Sequence, residues 1–259
     1  MKNAEKVVKN LITGMLGVGL YMAASWLLFA YGEGNSHNGL IESNWAKMPI
    51  IRFRLAILIT ALAAPLFLIG VQGAVRAINT ARRKRYPVDF YMAKLFVMGA
   101  YASAISMLFN IAVSVMLPVL YRELFNTRLM GAEIISTVES VFYYVSIPFY
   151  VYYWVGIVGV SVGFMYFVMI GRLLIPRMMM IFTPLFFVVL EIALRTFENS
   201  LVDDIFAASD GIGYLFMFGL LISFVAKIPR RSRRRVSDRG EERSRDRYER
   251  NMRNRQRER

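Results

Sequence analysis

From Ser140 to Gly171 the chain runs 32 residues without a charged side chain, between Glu139 and Arg172. A hydrocarbon core about 30 Å thick needs roughly 20 helical residues, so this run is long for one crossing. It is short for two, which need about 36 to 40 apolar residues plus a polar turn. No Asn, Asp or Gly-rich turn interrupts its middle. Pro148 removes one backbone hydrogen bond and kinks a helix, but a kink does not reverse a chain. One long helix, tilted or protruding, is the expectation.

Five other apolar stretches flank it: Leu11 to Ala30, Ile50 to Val75, Tyr91 to Tyr121, Met178 to Leu194 and Gly211 to Ile228, and the long run makes up most of the remaining one, roughly Ile134 to Ile170. In lipid every backbone group must be satisfied within its own segment, so such runs are helical and the fold class is all-α. At 56% hydrophobic residues the chain reads as a polytopic transmembrane helix bundle of six spans. The first run is preceded by Lys2, Lys6 and Lys9, and "YMAAS" is a poor match to a signal cleavage site, so an uncleaved anchor is expected.

Six spans place both termini on one face. That face carries 26 Lys+Arg against 8 Asp+Glu, and the other carries 6 against 10. Basic residues mark the cytoplasmic side, so both ends are expected in the cytoplasm of a multi-pass protein of the cell membrane. Two regions follow: a six-helix transmembrane domain over 1–228 and an Arg-rich cytoplasmic tail over 229–259, disordered or weakly helical.

There is no cysteine and a single histidine, His37, in the turn-rich stretch "EGNSHNG". Disulfides, thiolate metal sites and cysteine nucleophiles are excluded, and most zinc and haem constellations with them. No phosphate-binding glycine loop, G-x-S-x-G or H-E-x-x-H is present. The expectation is a non-enzyme with no catalytic residue, no metal site and no cofactor. Asp203 and Asp204, without an evident third ligand, read as a solvated acidic rim.

Charges at membrane depth are costly, about 2.5 to 3.5 kcal/mol each on insertion scales, and mark candidate sites. Glu191 is the clearest, with Arg195 one turn later in the favourable Glu-to-Arg order. Glu139 sits in the outer part of the fourth helix, and Arg52 and Arg54 open the second on the same face of the membrane. Two residues apart on a helix is about 200°, so one of the two arginines meets headgroups and the other turns into the bundle. Together Glu191, Arg195, Glu139, Arg52 and Arg54 make a candidate outward-facing ligand or ion cluster. The same charges would equally lock helices two, four and five together.

Small residues at close-packing spacing, Gly14, Gly17 and Gly19 in the first helix and Gly156, Gly159 and Gly163 in the fourth, read as packing seams. Asn110 with Ser103, Ser106 and Ser114 reads as interhelical hydrogen bonding. Thr183 beside Pro184 suits a kink. The aromatic block "FYYVSIPFYVYYW" suits an interfacial belt and core packing, with cavity lining as the minority use.

The tail opens with Lys227, Arg230, Arg231, Arg233, Arg234 and Arg235 directly after the last span. Such a cluster attracts anionic headgroups at the cytoplasmic face. A cytosolic protein partner is the second expectation; nucleic acid is the weakest, since aromatic interleaving is limited to Tyr248.

Two strings, "MPIIRFRLAILITALAAPLFLIG" and "GRLLIPRMMMIFTPLFF", carry a resemblance. With Pro176 and Arg177 leading into the fifth helix and Pro184 inside it, the chain resembles an uncharacterised family of bacterial six-helix integral membrane proteins, over about residues 10 to 226. The resemblance implies a fold and supplies no activity. Two functions therefore stand: binding or moving a small molecule, ion or lipid through the outer polar cluster, or a structural and assembly role with the tail recruiting a partner or lipid.

Overall fold

The computed structural model describes residues 2–29, 37–38, 41–82, 86–125, 131–195 and 208–227. Among them are six α-helices: α1 (Lys2–Phe29), α2 (Ile50–Ala81), α3 (Pro87–Phe125), α4 (Gly131–Met169), α5 (Pro184–Arg195) and α6 (Ser209–Lys227). Short 3-10 turns cover Ser43–Ala46 and Arg177–Ile181, and His37–Asn38 pairs antiparallel with Ile41–Glu42. The fold is all-α. Five of the helices, all but α5, are long and apolar enough to cross a membrane.

The charge-free run forms part of one helix. α4 continues through Pro148 for 39 residues, about 58 Å at 1.5 Å per residue. It stops where the sequence supplies a left-handed residue: Gly171 has φ 66°, and the N–H groups of Arg172 and Leu173 return to the Phe167 carbonyl at 3.0 and 3.2 Å. This is a glycine C-cap. It swings Arg172 back onto α3, where its Nε donates to Asp89 at 3.1 Å. Asp89 is buried and also accepts from the Tyr166 hydroxyl at 3.0 Å, while the guanidinium lies 4.8 Å from the Tyr86 ring centre.

The fifth apolar stretch differs from a single span. It divides into the 3-10 turn and a helix of only 12 residues, about 18 Å long. The division has a local cause. Thr183 precedes a proline and is pushed away from helical angles, and Pro184 suits a first helical position, where its missing N–H has no partner to lose. Lys227, at the end of α6, donates to the Leu174 carbonyl at 3.3 Å, whereas Pro184 lies against Gly213. Between those two levels α6 covers 14 residues, about 21 Å. Hence α5 begins far up the bundle rather than at its end, and the Leu185 N–H is met there by the Ser161 hydroxyl of α4 at 3.1 Å.

Two antiparallel pairs, α1 with α2 and α3 with α4, frame the bundle. Their seams are built on glycine. Gly14 meets Gly70 backbone to backbone, and Gly17 sits on the backbone of Ala63 and Phe67; Gly99 meets Gly159, Gly156 meets Ser103, and Gly163 meets Phe96. Gly19 faces open space and takes no part. Without a hydrophobic drive between helices in lipid, close backbone approach supplies the van der Waals contact that holds them. α6 fills the middle: Phe218 touches Gly14 and Gly70, Tyr214 packs edge-on to Phe67 at 5.2 Å, and Phe216 stacks on Phe187 of α5 at 5.6 Å.

Candidate functional site

Where α6 begins, polar groups from several helices converge. The Tyr21 hydroxyl of α1 donates to the Asp210 carboxylate at 3.4 Å and accepts from the Asn110 amide of α3. Asp210 also accepts the N–H of Gly211 at 2.7 Å. One residue earlier, the Ser209 hydroxyl donates to Glu191 of α5, and Asp210 and Glu191 lie within electrostatic reach of each other. One turn later, Tyr214 donates to the Ser103 hydroxyl at 2.5 Å, and Ser103 donates to the Gly99 carbonyl at 2.9 Å.

These groups surround a small cavity whose wall includes Tyr21, Ser103, Ser106, Tyr153, Asp210 and Tyr214, with Phe67 closing its apolar side. Its volume is about 10 Å³, room for roughly one water molecule. Tyr21, Ser103, Ser106, Ser209 and Tyr214 are buried, Asp210 and Tyr153 half-buried. The local folding is simple. Ser209 starts α6, so Asp210 and Tyr214, four residues apart, stand on one face of the helix and turn inward together. Asn110 stands 16 residues beyond Lys94 on α3, about 24 Å up the bundle.

The candidate residues read from sequence are distributed as follows. Glu191 belongs to this region, tied to Ser209. Arg52 turns inward and donates to the Trp26 carbonyl at 3.1 Å and to that of Leu27, neutralising the carbonyl end of α1. Arg54 is exposed and Glu139 half-buried. Leu185 is pinned to Ser161, so Glu191 stands about 9 Å above that level, whereas Glu139 stands about 33 Å above it along α4. The two carboxylates therefore lie at different heights. Arg195 ends α5; its side chain lies outside the described residues, as do Asp203, Asp204 and the tail residues Arg230, Arg231, Arg233, Arg234 and Arg235. Lys227 is exposed at the far end of α6.

Sequence reasoning singled out Asp203 and Asp204 and passed over Asp210. Tyr21 and Tyr214 gave no separate signal, while Asn110, Ser103 and Ser106 stood out as polar positions in an apolar helix. Among the described residues there is no group of three His, Cys, Asp or Glu that could hold a metal ion.

A family model described as a family of unknown function, DUF6796, matches residues 1–227. The chain belongs to DUF6796. The match covers all six helices, so the converging polar groups are part of the DUF6796 region and the arginine-rich residues 228–259 follow it. No curated protein and no solved structure matches the chain.

Proposed function

We propose that this DUF6796 protein is a non-enzymatic, multi-pass protein of the cell membrane that binds or moves a small ion through the polar chamber between α1, α3, α4 and α6. The observation that carries the reading is Asp210: a carboxylate inside a bundle of membrane-length helices, met among the described residues by a phenol hydroxyl and a backbone N–H, beside a cavity of about 10 Å³. Ionisable groups at such depth are costly and, by default, functional. The volume selects the occupant. Pockets for drug-sized ligands run to about 300 Å³ and more, so an ion or a water fits and a larger solute does not.

In this reading the chain crosses six times with both ends in the cytoplasm. The fifth crossing is the broken one, climbing through residues 174–184 and finishing as α5; the rise of that segment alongside α6 supports it. The 26-to-6 division of Lys+Arg between the two faces supports the orientation. With Lys94 near the inner boundary, Asn110, Tyr21 and Asp210 then lie in the outer third of a core about 30 Å thick. Lys227 through Arg235 contact anionic headgroups of the inner leaflet, each charge contributing about 1 kcal/mol.

A second reading is a structural and assembly role, in which the tail recruits a cytosolic partner or anionic lipid. The bond from Ser209 to Glu191, which ties α5 to α6, favours it. Glu191→Gln, purified in lipid nanodiscs and reconstituted in vesicles, separates the two. Altered ion binding or flux at unchanged thermal stability supports the ion site; unchanged binding and flux with lost stability supports the structural role.

A further inference from the structure

We propose that the occupant of the chamber is the proton, delivered to Asp210 by a hydronium that occupies the cavity. The inference rests on the ion-site reading above and narrows it. In the uptake step a hydronium in the cavity gives a proton to an Asp210 carboxylate oxygen. One O–H bond forms as another breaks, leaving a neutral carboxyl and one water; release is the reverse.

Three features of the wall select the proton over a metal cation. First, two of its oxygens already accept hydrogen bonds. The Ser103 hydroxyl donates to Gly99 and accepts from Tyr214, the Ser106 hydroxyl donates to the Ser103 carbonyl at 2.9 Å, and the Tyr21 oxygen accepts from Asn110. A hard cation takes about six oxygen ligands with free lone pairs, and the bonds that the Tyr21 and Ser103 oxygens accept leave fewer of them. Second, room for about one water admits neither a hydrated metal ion nor its shell. Third, the described partners of Asp210 are neutral donors. An ionised carboxylate so placed within a membrane is costly, and a proton removes the charge without a ligand shell.

Among the described residues the titratable groups near Asp210 are Tyr21 from α1, Tyr153 from α4, Glu191 from α5 and Tyr214 from α6; α2 contributes Phe67 and α3 contributes Ser103, Ser106 and Met107, which do not titrate there. Glu191 is the one carboxylate among them. It stands at the start of α6 beside Ser209, which makes it the neighbour through which the occupancy of Asp210 is felt.

The test uses the full chain in lipid nanodiscs, followed by infrared difference spectroscopy as pH is stepped. A carboxylic-acid carbonyl band that titrates in the wild type, disappears in Asp210→Asn and persists in Glu191→Gln is expected. Tyr21→Phe, which keeps the ring and removes the hydroxyl donor, is expected to move the midpoint of that band, so the idea stays testable if Asp210→Asn fails to fold. A wild type with no titrating carboxylic band, or a band that survives in Asp210→Asn, overturns the assignment. In vesicles with a trapped pH dye, proton entry in Asp210→Asn is expected to fall at least tenfold. Asp210-dependent uptake of Na⁺ or K⁺ tracer with no proton movement would overturn the proton while leaving the ion site standing. A folded Asp210→Asn that alters neither proton nor metal-ion movement would remove both.

Discussion

Substituting Gly99 by alanine perturbs the α3/α4 seam at its tightest point. A Cβ built on Gly99 lies 2.5 Å from the Val160 nitrogen, 2.7 Å from the Gly159 carbonyl carbon and 2.8 Å from its Cα. All three are backbone atoms of a helix, so no rotamer change relieves the contact. Ordinary carbon contacts sit at about 3.5 to 4.0 Å, and the helices must part by roughly 1 Å. Separation then costs contact at Gly156 and Gly163 as well, because both pack in the same seam. Overpacking of this kind costs about 1 to 3 kcal/mol, and the absence of a yielding side chain puts Gly99→Ala towards the upper end. Gly19→Ala is the control: its Cβ meets nothing within 4 Å, and its effect is expected within about 0.5 kcal/mol. Thermal unfolding of both variants in the same nanodiscs measures the difference. Equal melting temperatures for Gly99→Ala and Gly19→Ala would refute the seam as the source of helix pairing.

Asp89→Ala removes the buried partner of Arg172 and should cost about 3 kcal/mol. This is the low end for a broken buried pair, because the 15% exposed Arg172 side chain keeps the Tyr86 ring and some water. Tyr166→Phe, which deletes one hydroxyl bond to the same carboxylate, should cost about 1.5 kcal/mol, and chemical unfolding of the two variants would rank them. Deleting residues 228–259 should leave the melting temperature of the helical region unchanged and weaken pull-down by vesicles containing anionic lipid. Equal pull-down of the truncated and full chains would remove the tail from lipid binding.

Much of the frame was legible because it follows from lengths and periods. The 32 charge-free residues were too few for two crossings, and α4 is one helix. Two residues of separation put Arg52 and Arg54 on different faces, and one is half-buried against α1 while the other is exposed. Glycines at helical spacing gave the seams, except that Gly19, two residues from Gly17, is rotated away from the face that packs. The fifth segment was less legible. Hydropathy averages over Thr183-Pro184 and returns a single apolar run, whereas the backbone restriction before proline divides it in two. Asp210 was hidden by its neighbours. It follows a stretch of sequence with several other carboxylates, and the start of α6 at Ser209 draws it inward to Tyr21.

The placement of Asp210 in the outer part of the membrane depends on six crossings, and site-directed labelling tests that most directly. The chain has no cysteine, so each introduced thiol is unique. With an impermeant maleimide on intact cells, Lys47→Cys and Ser200→Cys should react at once, and Arg177→Cys and Ser237→Cys only after permeabilisation. Arg177→Cys and Ser200→Cys reacting from the same side would contradict the account, because the fifth segment would then turn back instead of crossing.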